Sequence, residues 1–237
     1  MNKLTLEEKQ SLKARGILNQ KQEEFYAIRF LSKAGYFKAY EIEAISKIAK
    51  TYGNGEISLT SRLTIEVPFI REENINRVLL EAKENNLRIG GAGKTVRAVV
   101  SCKGSVCKHG LYDTREMAEK LEEEFLGRAV PSKFKIGVFG CLNSYGKAQS
   151  NDFAILPSVN TESKEVEFLV FIGGRAGKKS RKAEPMERRF KKEEIIPLLD
   201  KVIKLFNELA LKKERLAEVI ERLGYYNFEK ELLKKLA

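Results

Sequence analysis

The sequence predicts an α+β chain of two units, and three observations predict it. Residues 23–90 alternate strand and helix patterns, a glycine-rich break follows at Gly90-Gly91-Ala92-Gly93, and further strands then give way to a helical end from about residue 191. The 237 residues suffice for about two domains. With 43% hydrophobic and 32% charged residues, wholesale disorder is excluded. The longest apolar runs, such as 168–172, fall far short of the roughly 20 residues a bilayer requires. Residues 1–21 are polar and lack an apolar stretch, so the expectation is a cytoplasmic protein with no export signal and no membrane partner.

Residues 1–22 read as an amphipathic helical arm. Residues 23–33 suit a strand, and residues 40–50 a helix with Ile42, Ile45, Ile48 and Ala49 on one face. Gly53 and Gly55 bracket a turn. Ile57, Leu59, Leu63, Ile65, Val67 and Phe69 then alternate with polar residues, which predicts one long half-buried strand or two strands joined at a bend. A helix with Ile75, Val78, Leu79 and Ala82 inward completes a small layer with helices on one sheet face. Beyond the glycine break, 91–237, the patterns are strands at 95–101, 134–139, 151–156 and 165–172, with a helix over 114–125.

Lys and Arg exceed Asp and Glu by 44 to 33, a net charge of +11, which favours an anionic partner. Much of the excess lies between Arg175 and Lys192, where nine basic residues meet two acidic ones after Gly173-Gly174, predicting a mobile basic loop. Cys102 and Cys107 are separated by four residues, and Cys141 follows later; both sites come straight after predicted strands at Gly-bearing turns. Thiolates so placed can converge on one iron–sulfur or zinc centre, and the same spacing also suits three separate reduced thiols. Lys133 and Lys135, two apart on a strand leading to Cys141, project from one side and would hold an anion or form a solvated face. Arg62 falls on the polar face of the long strand and Arg97 in the strand leading to Cys102. His109 is a lone candidate ligand or proton donor. The stretch 90–95 lacks the phosphate-loop spacing, because Arg88 stands where the first glycine belongs.

Four segments, Thr-Ser-Arg-Leu-Thr-Ile-Glu (60–66), Thr-Val-Arg-Ala-Val-Val-Ser-Cys (95–102), Pro-Ser-Lys-Phe-Lys-Ile (131–136) and Gly-Cys-Leu-Asn-Ser (140–144), occur in an order that resembles the sirohaem and [4Fe–4S] sulfite and nitrite reductases. The resemblance covers about residues 23–230. It implies a ferredoxin-like half-domain over 23–90, followed by an α/β cluster and sirohaem domain over 91–237. It further implies an oxidoreductase that reduces sulfite or nitrite by six electrons. Cys102, Cys107 and Cys141 would hold the cluster, and Arg62, Arg97, Lys133 and Lys135 would surround the oxyanion. Asn143, Tyr145 and Arg175 would lie at the sirohaem, and the basic loop would meet its carboxylates.

The chain departs from the family at the cluster. The family has Cys-x5-Cys and Cys-x3-Cys pairs; here the first spacing is x4 and Tyr145 occupies the last cysteine's place. Three outcomes follow: a cluster on three thiolates with one iron open or otherwise bound, a Tyr145 phenolate on the haem iron, or loss of the cofactors. The familiar enzymes have two such units, so a homodimer is expected, its site combining groups of both subunits. No flavin or nucleotide fingerprint is present, so electrons are expected from a ferredoxin-like protein or partner subunit. The alternative is a non-catalytic relative that binds a tetrapyrrole or nucleic acid; against nucleic acid, no aromatic cluster marks an open sheet face.

Overall fold

The computed structural model describes residues 5–144 and 147–234 and divides the chain into the units Met1–Gly93 and Lys94–Ala237. In the first unit, helix α1 (Leu6–Ala14) opens at Thr5, whose hydroxyl accepts the Glu8 N–H while the Glu8 carboxylate accepts the Thr5 N–H. The arm is more than a helix: it continues into β1 (Ile17–Asn19), which pairs antiparallel with β2 (Phe25–Phe30). Three residues with one buried side chain, Ile17, are too few to display an alternation in sequence.

After α2 (Ala39–Tyr52) come β3 (Ser58–Leu59), β4 (Ile65–Arg71) and α3 (Ile75–Glu84). The sheet order is β1-β2-β4-β3, antiparallel throughout. The apolar alternation over 57–69 resolves into two strands. Thr60–Thr64 forms a tight turn, with the Thr60 hydroxyl accepting the Arg62 and Thr64 N–H groups, and β3 doubles back on β4. Leu59 is therefore 81% exposed. Arg62 sits in this turn, half-buried, and not on a strand face. The alternation also breaks at its far end. β4 carries one residue more than β2 between the pairs Ile28↔Val67 and Tyr26↔Ile70, and Phe69 takes a φ of 58°. Ile70, not Phe69, thus reaches the core.

In α2 the buried stripe is Ala44, Ile45, Ile48 and Ala49; Ile42, expected on it, lies at its edge and is 39% exposed. Ile45 and Ile48 pack with Phe30, Val67, Ile70 and Val78. Arg29 and Glu66, directly paired across β2 and β4, form a partly buried ion pair, Nε to Oε1 at 2.8 Å. We expect Ile45→Ala to cost about 2–5 kcal/mol in urea unfolding and Ile42→Ala under about 1 kcal/mol; equal costs would refute this placement of the helix face.

The second unit holds β5 (Val100–Ser101), α4 (Thr114–Phe125), β6 (Ile136–Val138), β7 (Phe153–Val159), β8 (Val166–Ile172), β9 (Glu184–Pro185), α5 (Ile195–Leu209), α6 (Leu216–Leu223) and α7 (Tyr225–Lys234). The sheet order is β5-β6-β7-β8-β9; β5, β6 and β7 run parallel, and β8 and β9 continue antiparallel. Helix α4 spans the residues its pattern predicts. Asp113 caps it, accepting the Arg115 and Glu116 N–H groups at 2.9 and 3.1 Å, and Met117, Ala118, Leu121 and Phe125 are buried. The α5 side of the sheet closes with Phe134 against Phe206, ring centroids 6.1 Å apart.

The basic stretch 175–192 is not a loose loop. Arg175 and Arg181 bridge each other, β9 pairs with β8, and Phe190 bridges Phe168. Its side chains find acids elsewhere in the fold: Arg175 with Glu218, Arg188 with Glu194 and Lys192 with Glu116, each within 2.9 Å. Asp113 also makes a pH-sensitive contact. The N–H groups it caps hold its carboxyl below the usual carboxylate range. A lowered value stabilises the fold above the unfolded pKa and loses that stabilisation as pH falls. Asp113→Ala is expected to cost about 1 kcal/mol at neutral pH, a difference that closes below about pH 4; a difference that persists in acid would refute the cap.

Candidate functional site

Two neighbouring segments carry the candidate residues. Val96 bridges Phe134 in parallel, with the Arg97 N–H donating to Phe134 O at 2.9 Å; four residues later Val100 pairs with Gly137 and Ser101 with Val138. Parallel neighbours end at the same sheet edge. One segment therefore delivers Cys102, and the other the turn at Gly140 and Cys141, to a common place.

Between those pairs the first segment has four steps and the second three, so one extra residue lies at 97–99. The extra residue frees the Val99 N–H, and the buried Glu122 carboxylate of α4 accepts it at 3.1 Å. The consequence is a change of face. In a regular strand, Arg97 and Cys102 lie on opposite faces, because five residues separate them. With the extra residue, Arg97 shares the face of Lys133 and Lys135, opposite buried Val96 and Phe134, and Cys102 reaches that face as well. There Cys102 packs against Phe139, Ala148, Ala154 and Leu156, with Leu169 and Phe171 alongside. Strand periodicity missed this irregularity; its signal was an acid, Glu122, on the apolar stripe of α4.

The cysteine turns abut through backbone. The Gly140 N–H donates to Cys102 Sγ at 3.1 Å, and Gly140 O accepts the Leu111 N–H at 2.9 Å. A Cβ on Gly140 would stand 2.7 Å from Gly104 Cα, and one on Gly104 2.4 Å from Thr114 Cγ2. Thr114, wholly buried, donates its hydroxyl to Cys102 O at 2.8 Å. Tyr112 stands edge-on to Phe168, centroids 4.8 Å apart, and its buried hydroxyl has no hydrogen-bond partner among the described residues. Burial, then the Cys102 sulfur, pushes its pKa well above the ordinary phenol value. Sequence reasoning singled out none of Gly104, Tyr112, Thr114 or Glu122.

Cys102 and Cys141 are half-buried, Cys107 is exposed, and all three are free thiols. The chemistry of these donors suits a thiolate-bound iron centre: three soft donors on two touching turns, one already accepting a backbone N–H, beside a buried hydroxyl that lacks an acceptor among the described residues. Among the described residues, though, no three His, Cys, Asp or Glu side chains are gathered as a metal-binding group. Tyr145 lies outside the described residues. Asn143 and His109 are exposed, and Arg175 is engaged by Glu218 at 2.8 Å. Arg62 belongs to the first unit. No helix among the described residues is long and apolar enough to cross a membrane.

Lys135 has a buried anchor. Its N–H donates to Asp152 Oδ2 at 2.8 Å, and Arg215 Nη2 meets both Asp152 oxygens at 3.0 and 2.8 Å. Burial pushes the Asp152 carboxyl up, against the pull of Arg215 and that N–H.

The sequence model of the nitrite and sulphite reductase 4Fe-4S domain matches residues 92–237, and that of the nitrite/sulfite reductase ferredoxin-like half domain matches residues 18–85. The chain belongs to this family. It is 30% identical to a coenzyme F420-dependent sulfite reductase of Methanocaldococcus jannaschii over 93% of this chain and 44% of that protein, so it spans less than half the relative's length. It is 24% identical to an assimilatory-type sulfite reductase of Nitratidesulfovibrio vulgaris over 89% of this chain and 93% of that one. Among solved structures, the Mycobacterium tuberculosis NirA protein has the same fold, with a TM-score of 0.86 at 13% identity over 98% of this chain and 47% of that chain.

Glu122→Leu is expected to cost about 1–3 kcal/mol by orphaning the Val99 N–H, while Glu122→Gln, which keeps an acceptor, costs less; equal losses in thermal melts would rule out this role.

Proposed function

We propose that the chain is a redox protein that reduces a small oxyanion, sulfite or nitrite, with electrons from an external donor, and that it holds an iron–sulfur cluster through Cys102, Cys107 and Cys141 beside sirohaem. One observation carries the reading: two parallel segments bear Arg97, Lys133 and Lys135 on one sheet face and end at the two cysteine turns. Family membership and the sulfite reductases among the relatives support it.

The bound cofactors would supply electrons one at a time to the oxyanion. The protein's own part is electrostatic. Arg97, Lys133 and Lys135 bind a dianion such as sulfite and favour the transfer of negative charge onto it. A lysine ammonium also donates a proton as oxygen leaves. Backbone N–H groups, as at Gly140, favour the more reduced state of whatever Cys102 ligates. The apolar wall of Phe139, Ala154 and Leu156 covers one side of Cys102. Asn143 and the basic segment with Arg175 are the proposed partners of a tetrapyrrole's carboxylates. Tyr145 takes the fourth ligand's place in the sequence. The reading extends to Arg62 by resemblance alone.

The electron donor is proposed to be external, in keeping with the coenzyme F420-dependent relative. A homodimer is the proposed assembly, and sedimentation as a clean monomer at micromolar concentration would refute it. Anaerobic loading with ferrous iron, sulfide and sirohaem is expected to give Soret and visible bands, and reduction of sulfite or nitrite by reduced viologen. Cys102→Ala should lose iron. Lys133→Ala and Lys135→Ala should lose at least tenfold in turnover while keeping iron and tetrapyrrole, and Arg62→Ala should weaken the oxyanion in the same assay. A colourless, iron-free protein after loading would overturn the reading.

A further inference from the structure

Lys135 is anchored through its backbone at one end of a chain of paired groups that is buried at Asp152 and Arg215. Asp152, with no exposed side-chain surface, accepts the Lys135 N–H at 2.8 Å. Arg215, 7% exposed, grips both carboxylate oxygens from the N-terminus of α6. The Arg215 N–H in turn donates to Glu218 Oε2 at 2.9 Å, and the other Glu218 oxygen takes Arg175 at 2.8 Å. The chain thus runs Lys135, Asp152, Arg215, Glu218, Arg175, and it joins the lysine proposed for the oxyanion to the arginine proposed for the tetrapyrrole.

A bare carboxylate beneath an anion site would oppose anion binding. Paired with Arg215 it carries no net charge, so it can fix backbone with far less repulsion of an anion. A backbone anchor at Lys135 sets where that side chain leaves the sheet, and sub-ångström placement governs the strength of a fixed charge on a small anion.

We propose that Asp152 is a positioning residue for the oxyanion site: its hydrogen bond to the Lys135 N–H aims Lys135, and Arg215 serves to neutralise it. This rests on the reading of Lys135 given above. Removing either partner alone buries an unpaired charge and endangers the fold, so the test replaces both. Asp152→Asn with Arg215→Met removes the charges and keeps an acceptor for the Lys135 N–H. Asp152→Leu with Arg215→Met removes the charges and the acceptor. Thermal melts report stability, and calorimetric titration of the purified full chain with sulfite reports the dissociation constant.

The Asn/Met pair is expected to bind sulfite within about twofold of the parent, and the Leu/Met pair at least tenfold more weakly, whatever the order of their melting temperatures. Equal affinities in the two pairs, with Lys135→Ala losing the anion, would overturn the role of Asp152. Parent-like affinity in Lys135→Ala would instead overturn the reading of Lys135 itself.

Discussion

The parallel pairing of residues 96–101 with 134–138 is the constraint on which the rest of the second unit depends. Parallel strands cannot be joined by a tight turn, so α4 and its flanking loops carry the chain between them. The connection's cost is offset by what it achieves: two strand ends at one edge, each followed by a cysteine. Two buried carboxylates hold the pair in register. Glu122 takes the N–H left over by the extra residue of the first segment, and Asp152 takes the Lys135 N–H at the start of the second. Each acid is buried, so each demands a partner, and each finds a backbone donor that the sheet itself leaves open.

The two cysteine turns then meet through the backbone of two glycines. Gly104 and Gly140 bring backbone to backbone, closely enough for a peptide N–H to reach Cys102 Sγ. The four-residue spacing from Cys102 to Cys107 is taken up by a short 3-10 turn over Gly104–Val106, closed by the Val106 N–H on Lys103 O at 3.1 Å. That turn leaves Cys107 exposed while Cys102 packs inward. The two thiols of the pair thus differ in solvation, and a centre they share would be open on the Cys107 side.

Much of this was legible in the sequence, and the failures have physical causes. Helix α4 was read correctly because cap, amphipathic stripe and length agree. The β3–β4 hairpin was blurred because a five-residue turn, Thr60–Thr64, preserves the parity of the apolar residues on either side. The β4 bulge at Phe69 and the extra residue at 97–99 escaped for the opposite reason: one added residue inverts a face, and period-two patterning does not anticipate it. At the site, the residue types were visible, since three cysteines and clustered Lys and Arg announce themselves. Their common face was not, because it depends on pairing between segments some forty residues apart in the chain. The supporting residues Tyr112, Thr114, Asp152 and Arg215 look ordinary in sequence and gain meaning only from what they touch.

The basic segment shows how far charge alone can carry an argument. Nine cations between Arg175 and Lys192 suggest a mobile anion trap. In the fold, five of them face acids: Arg175 and Lys179 meet Glu218, Arg181 meets Glu184 within the segment, Arg188 meets Glu194, and Lys192 meets Glu116 of α4. Surface pairs of this kind contribute little stability each, but they fix where the chain runs, and they turn the segment from a tether into an ordered edge beside β8. The other four, Lys178, Lys182, Arg189 and Lys191, are exposed. A field of unpaired surface cations attracts any anion, while a cation whose backbone is anchored from beneath can select one by geometry. On that criterion the proposed selectivity for a small oxyanion would belong to Lys135, held by Asp152, and the basic segment would suit a large polycarboxylate, for which position matters less than total charge.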